Sequence, residues 1–374
     1  MNTLRATFVK ASVYTTAILC LILAGCQPAA SPPPPAPTAT RPAVGTPALS
    51  SPGLAAPAAP TPGGTPTTVP LPEAAGRIVY ARDSGLFTLE PATGRLKQLA
   101  DVPARTYVGA PALSPDGARL AYSLYDLKRA TDKRDNGTDL YLMTGQGADP
   151  KLLLEHDAVG VWLSEPAWTP DGKALLFTRR DARGKESIEG IGVDGSGRKT
   201  VLQDAASPTV SADGQSVAYL VTDPQAYTQS LWRAGLDGSS PKRLLGEPEF
   251  EALVSPRLAP DGQRVAFIAV GGPQDVKPPR SAARPTWTPL AWLTPPTADA
   301  HGVPYNIWTA KLDGSDLRRL TLDLEVELPM LVWSPDGKWI AFTSDKGLEV
   351  VSADGAQRHF LGQDFAVGGL DWTK

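Results

Sequence analysis

The sequence predicts an all-β fold: a six-bladed β-propeller of four-stranded antiparallel blades, closed by the C-terminal strand joining the first blade. Three observations carry this expectation. Five Asp-Gly turns recur in register between residues 113 and 337. A second series of Asp-Gly turns interleaves with the first. The two ends of the chain each supply the part of a blade that the other lacks.

The first series is Leu113-Ser-Pro-Asp-Gly117, Trp168-Thr-Pro-Asp-Gly172, Val210-Ser-Ala-Asp-Gly214, Leu258-Ala-Pro-Asp-Gly262 and Trp333-Ser-Pro-Asp-Gly337. In four of them Pro presets φ at the first turn position. In all five Asp can bond its own backbone and Gly accepts φ > 0. A large apolar residue precedes each turn, and an apolar strand such as Ile340-Ala-Phe-Thr343 follows it. The Asp-to-Asp spacings are 55, 42, 48 and 75 residues, which marks a repeat unit rather than a single hairpin. The second series is Asp194-Gly195, Asp237-Gly238, Asp313-Gly314 and Asp354-Gly355. Thr93-Gly94 and the stretch Gly145 to Gly147 take its place in earlier units. Two interleaved turns give four short strands per unit. No helical periodicity is evident after residue 76.

The ends complete the count. Arg77 to Ala100 supplies three strands, and Gly369-Leu-Asp-Trp-Thr373 matches the innermost strand Met330-Leu-Val-Trp-Ser334. Sharing one blade between the chain ends leaves no open sheet edge to aggregate.

Ahead of the repeats, residues 1–25 read as a lipoprotein signal peptide. Arg5 and Lys10 precede an uncharged run that ends in Leu23-Ala24-Gly25-Cys26. The run is short of the ~20 residues that a membrane-spanning helix needs. Leu-Ala-Gly-Cys resembles the lipobox of bacterial lipoproteins, which implies lipidation at Cys26. The chain has two Cys, and Cys20 leaves with the signal, so no disulfide forms in the remainder. Residues 26–75 read as a Pro-rich disordered tether. Between Gln27 and Pro72 there are 15 Pro, and Arg41 is the only charge. Such a stretch buries no core and favours extended polyproline II. Residues 76–374 form the propeller.

Charge limits the partners. Losing residues 1–25 moves the formal charge from −3 to −5. Nucleic acid demands a basic face and is excluded as a partner. The expectation is a monomer that meets the membrane only through its lipid anchor.

The Trp-Ser-Pro-Asp-Gly-Lys…Ile-Ala-Phe units, followed by Asp-Gly and Arg-Arg-Leu-Thr, resemble the WD40-like repeats of the TolB propeller family. The likeness covers essentially all of 76–374. It implies the fold, whereas this propeller serves many roles. TolB is a soluble periplasmic protein with an α/β domain before its propeller. Here a lipobox and a tether take that place.

Chemistry is sparse. The three His are His156, His301 and His359, and no HExxH or Gly-x-Ser-x-Gly pattern occurs. Gly190 to Gly195 matches GxGxxG, but a strand enters an Asp-Gly turn where a nucleotide site needs a helix. No catalytic residue, metal site or cofactor is expected.

Two features rise above the repeats. A Pro-rich insertion, Gly271 to Pro304, carries Arg280, Arg284, Trp287, Trp292 and His301 and is the expected partner-binding loop. Its plain alternative is a loop whose Trp residues pack on the blade below. The links between blades are acidic, with Asp101, Glu155, Asp157 and Asp204 among them. Glu247, Glu249 and Glu251 alternate there, as do Asp323, Glu325 and Glu327, so each set shares one side of an extended chain. The plain reading is solvated loop charge; a cation site is the alternative. In a four-stranded meander the insertion, these links and the charged loop Asp126 to Thr138 share one rim. The Pro-Asp-Gly turns occupy the other.

The functional expectation is a membrane-anchored extracytoplasmic propeller, not an enzyme, that binds a protein or cell-envelope polymer. The alternatives are a glycan- or lactone-processing enzyme working at the central mouth, and a structural envelope spacer. Convergent acids and His at the mouth would favour the enzyme. An aromatic patch on the rim would favour the binder.

Overall fold

A computed structural model describes residues 68–82, 85–133, 135–226, 228–246, 249–273, 305–322, 324, 330–363 and 368–373. The architecture is a β-propeller of antiparallel meanders. The first comprises β1 (Arg77–Arg82), β2 (Gly85–Glu90) and β3 (Arg95–Asp101). The next comprises β4 (Thr106–Leu113), β5 (Arg119–Asp126), β6 (Gly137–Thr144) and β7 (Lys151–Leu154), with a short helix α1 (Leu127–Lys133) between β5 and β6. Then come β8 (Val161–Trp168), β9 (Ala174–Arg180), β10 (Glu186–Gly192) and β11 (Lys199–Gln203). They are followed by β12 (Ala206–Val210), β13 (Ser216–Thr222), β14 (Gln229–Gly235) and β15 (Lys242–Leu245). After these lie β16 (Phe250–Leu258), β17 (Arg264–Gly271), β18 (Tyr305–Lys311) and β19 (Arg318–Arg319). The last strands are β20 (Leu331–Trp333), β21 (Trp339–Ser344), β22 (Gly347–Ser352), β23 (Arg358–Gly362) and β24 (Leu370–Thr373). Four sheets have four strands each. A fifth has eight, because the parallel pairs Gly137–Val161 and Thr138–Trp162 join the β4–β7 and β8–β11 meanders. β24 runs antiparallel beside β1, with Arg77 opposite Thr373 and Ile78 opposite Trp372.

The turns form for the expected reasons. Gly117, Gly172, Gly214, Gly262 and Gly337 have φ of 66°, 65°, 69°, 67° and 70°. A Cβ disfavours this left-handed region. In the first turn the Gly117 amide donates to the Ser114 carbonyl at 2.7 Å. The Asp116 carboxylate accepts from the Ser114 hydroxyl at 2.5 Å and from the Ala118 amide at 3.0 Å, and these bonds lower its pKa.

One backbone device was not foreseen. Ala110, Glu165, Ser207 and Ser255 have φ of 43°, 52°, 55° and 53°, and each precedes a Pro. Each sits at a register shift in β4, β8, β12 or β16. A bulge leaves one amide out of the ladder, and Pro, which has no amide, fits there.

The inner strands lock to one another. Trp168 Nε1 donates to the Ala112 carbonyl at 2.8 Å, and Trp333 Nε1 to the Arg257 carbonyl at 3.0 Å. The Leu258 amide donates to Thr209 Oγ1 at 3.1 Å. β4 touches β24 and β8, and β20 touches β16 and β24. The core is accordingly layered between consecutive meanders. Val79, Leu86, Val108 and Leu120 pack between the first two. Leu231, Phe250, Phe267 and Trp308 pack between the β12–β15 and β16–β19 meanders. Ile78, Trp339, Val350 and Trp372 pack between the β20–β23 and β1–β3 sheets.

Two expectations need correction. Residues 68–75 were assigned to the tether, yet they pack on the propeller. The Val69 amide donates to the Leu361 carbonyl at 2.8 Å, and Leu71 and Ala74 are buried. Helix α1 was also unforeseen. Seven residues are too few to establish a period, and the signal lay in the cap instead. Asp126 Oδ1 accepts from the amides of Lys128 at 2.8 Å and Arg129 at 3.1 Å. Cys26, Glu247, Arg280, Arg284, Trp287, Trp292, His301, Asp323, Glu325 and Glu327 lie outside the described residues.

Candidate functional site at the link rim

In the five meanders from β4 onward the first-series Asp-Gly turn closes one end, and the links between meanders lie at the other. The strand ends at β17 and β18, which the long insertion connects, lie at this link rim. The side chains with the most to offer a partner gather there around β4–β8.

An aromatic ladder crosses the rim. Tyr107 on β4 sits opposite Tyr125 on β5, with ring centroids 6.3 Å apart. Tyr125 stacks on Trp162 of β8 at 5.3 Å, with only 10° between the ring planes. The parallel pairing of β6 with β8 brings Trp162 beside the β5 edge. Tyr125 is buried between the other two, whereas Tyr107 is 37% exposed and nearby Val159 is 57% exposed. Burial, then Tyr107 and Asp126, raise the Tyr125 pKa.

Beside the ladder lies an ion-pair cluster that holds α1. His156, in the link before β8, is buried. Its Nδ1 lies 2.5 Å from Asp139 Oδ1 and its Nε2 lies 2.8 Å from Asp135 Oδ1. Burial opposes a charge on this ring, but the bonds to Asp135 and Asp139 outweigh it and raise the His156 pKa. The bond from His156 in turn lowers the Asp135 pKa. Arg129 on α1 reaches Asp135 at 2.5 Å, Asp139 at 3.1 Å and Glu155 at 2.8 Å. The two carboxylates favour the charged form of the imidazole between them, and its two bonds tether two links together. His156 is therefore a structural clamp, and both of its nitrogens are engaged.

The acidic links are less free than their sequence suggested. Glu155 pairs with Arg129. Asp157 accepts from Arg179 at 2.7 Å and Arg198 at 3.0 Å. Glu249 and Glu251 are exposed on either side of buried Phe250. Among the described residues no group of His, Cys, Asp and Glu is arranged to hold a metal ion. His359 lies half-buried on the outer strand β23, edge-on to Trp339 at 5.4 Å. Gly190 and Gly192 lie within β10, and a second strand follows the Asp194 turn instead of a helix.

Deeper in, the inner strands carry charges that the sequence reading passed over. Glu165 on β8 accepts from Thr178 Oγ1 at 2.9 Å and from Ser207 Oγ at 2.9 Å. Asp371 on β24 accepts from the Leu113 amide at 2.6 Å and the Trp372 amide at 2.9 Å. Burial lowers the Arg257 pKa, and the charges of Glu165 and Asp371 oppose that shift. The available signal was positional: Arg257 and Asp371 stand just before the large apolar residue of their units, where other units have Ala, Thr or Val.

Asp-Gly-turn meanders, bulged inner strands and a core layered between sheets define a β-propeller. Within that class the chain is TolB-like, in sequence and in fold. It is 27% identical to the Tol-Pal system protein TolB of Francisella tularensis subsp. tularensis, over 44% of this chain and 47% of that protein. It is 28% identical to an uncharacterized protein of Agrobacterium fabrum, over 42% of this chain and 49% of that one. The chain thus spans about half the length of the curated relatives it matches. The crystal structure of TolB from Acinetobacter baumannii superposes with a TM-score of 0.59 at 19% identity, covering 79% of this chain and 66% of that one. A chain of a nidogen/laminin complex superposes at 0.57 with 10% identity, over 80% of this chain and 98% of that one. Both superpositions speak for the fold alone. No family model matches the chain. No helix among the described residues is long and apolar enough to cross a membrane.

Proposed function

We propose that this chain is a non-catalytic, extracytoplasmic binding propeller whose link rim engages a protein or cell-envelope polymer. The propeller has six blades and is closed by β24 on the first. The pairing of β24 with β1 and the contacts of β24 with β4 and β20 support this closure. A lipid on Cys26 anchors the protein, and the Pro-rich tether holds the propeller away from the membrane. The likeness to a Tol-Pal system protein supports a role in the cell envelope.

The aromatic ladder at the rim carries the reading. Tyr and Trp offer large contact area at low cost in side-chain entropy, which is why they are enriched at binding hot spots. The insertion between β17 and β18, with Trp287, Trp292, Arg280, Arg284 and His301, is the second part of the proposed binding surface. The test is capture of envelope components by the soluble chain from residue 27 onward. Wild type should retain a partner that the double variant Tyr107→Ala, Trp162→Ala loses. Equal capture by both would remove the ladder from the binding surface.

A further inference from the structure

Arg77, Arg119 and Arg264 each open the strand that pairs with an inner strand: β1 beside β24, β5 beside β4 and β17 beside β16. Arg77 Nη2 donates to the Gly117 carbonyl at 2.9 Å, and Arg119 Nη2 to the Gly172 carbonyl at 2.6 Å. Both bonds reach the first-series turn of the next meander and close the seam between meanders. The counterpart of these glycines for Arg264 is Gly337. Arg264 instead turns back into its own meander. Its Nη1 donates to Asp316 Oδ2 at 2.6 Å, and its Nη2 to Thr309 Oγ1 at 3.1 Å and the Asp316 carbonyl at 2.7 Å.

At Gly337 the seam holds a cavity of about 220 Å³, lined by Arg264, Arg318, Trp333, Gly337, Asp261 and Asp354. Sites for drug-sized ligands run from ~300 to 1,000 Å³, so this one suits a smaller molecule. Two guanidinium groups meet one carboxylate here, because Arg318 also donates to Asp316, at 3.1 and 2.9 Å. One positive charge is therefore left over. The Arg264 Nε is buried without a partner, and enclosed donors of this kind are costly. Arg318 is exposed and gives two of its five N–H groups to Asp316, so it retains donors for a ligand.

The cavity also carries negative charge. Asp261 Oδ1 accepts from the Gln263 amide at 2.9 Å, and Asp354 Oδ1 from the Ser352 hydroxyl at 2.6 Å and the Ala356 amide at 2.9 Å. Among the described residues, Oδ2 of each has no donor. Trp333 supplies an apolar wall, its own Nε1 being committed to the Arg257 carbonyl. A simple anion would be repelled by Asp261 and Asp354, and a simple cation by the arginines. A molecule bearing both charges meets neither penalty.

We propose that this seam binds a small zwitterion, an amino acid or short peptide. Its carboxylate pairs with Arg318 beside Arg264, and its ammonium group pairs with Asp354.

The experiment titrates the full chain with four probes: alanine, N-acetylalanine, alanine amide and dialanine. The readout is the Trp333 indole N–H resonance, assigned by its loss in Trp333→Phe. Alanine should shift it saturably, with half-saturation below about 10 mM, and the two blocked forms should bind about tenfold more weakly. Arg318→Gln should weaken alanine about tenfold and leave alanine amide unchanged. Asp354→Asn keeps the turn acceptor, and should weaken alanine and alanine amide while sparing N-acetylalanine. Should Trp333→Phe fail to fold, calorimetry on wild type and these two variants gives the same comparison. Tighter binding of dialanine than alanine identifies a short peptide as the ligand; the reverse identifies a free amino acid. Unsaturable shifts, equal binding of alanine and its blocked forms, or unchanged alanine affinity in both variants would overturn the site without touching the rim reading.

Discussion

The Asp371 carboxylate accepts a hydrogen bond from the Leu113 amide at 2.6 Å, across 258 residues of chain. Asp371 sits on the last strand and Leu113 at the end of β4, so this bond ties the C-terminus to the second meander. Burial raises the Asp371 pKa, against the opposing pull of the Leu113 and Trp372 amides and Arg257. Trp372 adds an indole bond to the Ala75 carbonyl at 3.0 Å.

The first prediction concerns this junction. Deleting residues 367–374 removes Leu370 and Trp372, which are 3% and 5% exposed. Their burial contributes about 1.5–3 kcal/mol each. The melting midpoint should fall by on the order of 10 °C. A midpoint within about two degrees of the full chain would count against a ring closed by β24.

The His156 clamp makes stability depend on pH. The folded pKa of His156 is raised, so its contribution is fully present below the ordinary imidazole value of 6.5 and is lost as pH rises through the folded value. The Asp135 pKa is lowered, so its contribution is present above 3.8 and is lost as pH falls through the folded value. The two overlap between roughly pH 4 and 6.5. Thermal melts of wild type and His156→Gln should therefore differ most near pH 5.5 and converge as pH rises well above neutrality. A gap independent of pH would show that the ring stays neutral.

The rim should separate binding from stability. Tyr107 is partly exposed, so Tyr107→Ala should leave the melting temperature nearly fixed while weakening partner binding about tenfold or more. Changing Trp287 and Trp292 together to Ala should cost at least about 2 kcal/mol of binding, again with little change in melting. A large drop in melting temperature for the Trp pair would mean that both serve the core.

The anchor has a direct test. Cys26→Ala should leave unprocessed precursor, since lipidation at this sulfur precedes cleavage in the family that the lipobox resembles. Fractionation and mass measurement decide the matter. A correctly processed, membrane-retained variant would exclude lipidation at Cys26.

The sequence alone determined the repeat and its strands. Turn chemistry is local: Asp336 and Gly337 act within five residues, and the apolar alternation around them needs no knowledge of distant chain. That the links lie at the end opposite the first-series Asp-Gly turns was also legible, because a four-stranded meander places them there. What the tertiary structure decided was contact between turns of the ring. Tyr107, Tyr125 and Trp162 are scattered through 56 positions and meet only because β6 and β8 pair in parallel. Glu155 and Asp157 read as solvated charge until folding supplied Arg129, Arg179 and Arg198 as partners. Periodicity records which side of a strand a residue takes, whereas the partner it finds across a ring depends on the whole chain's register.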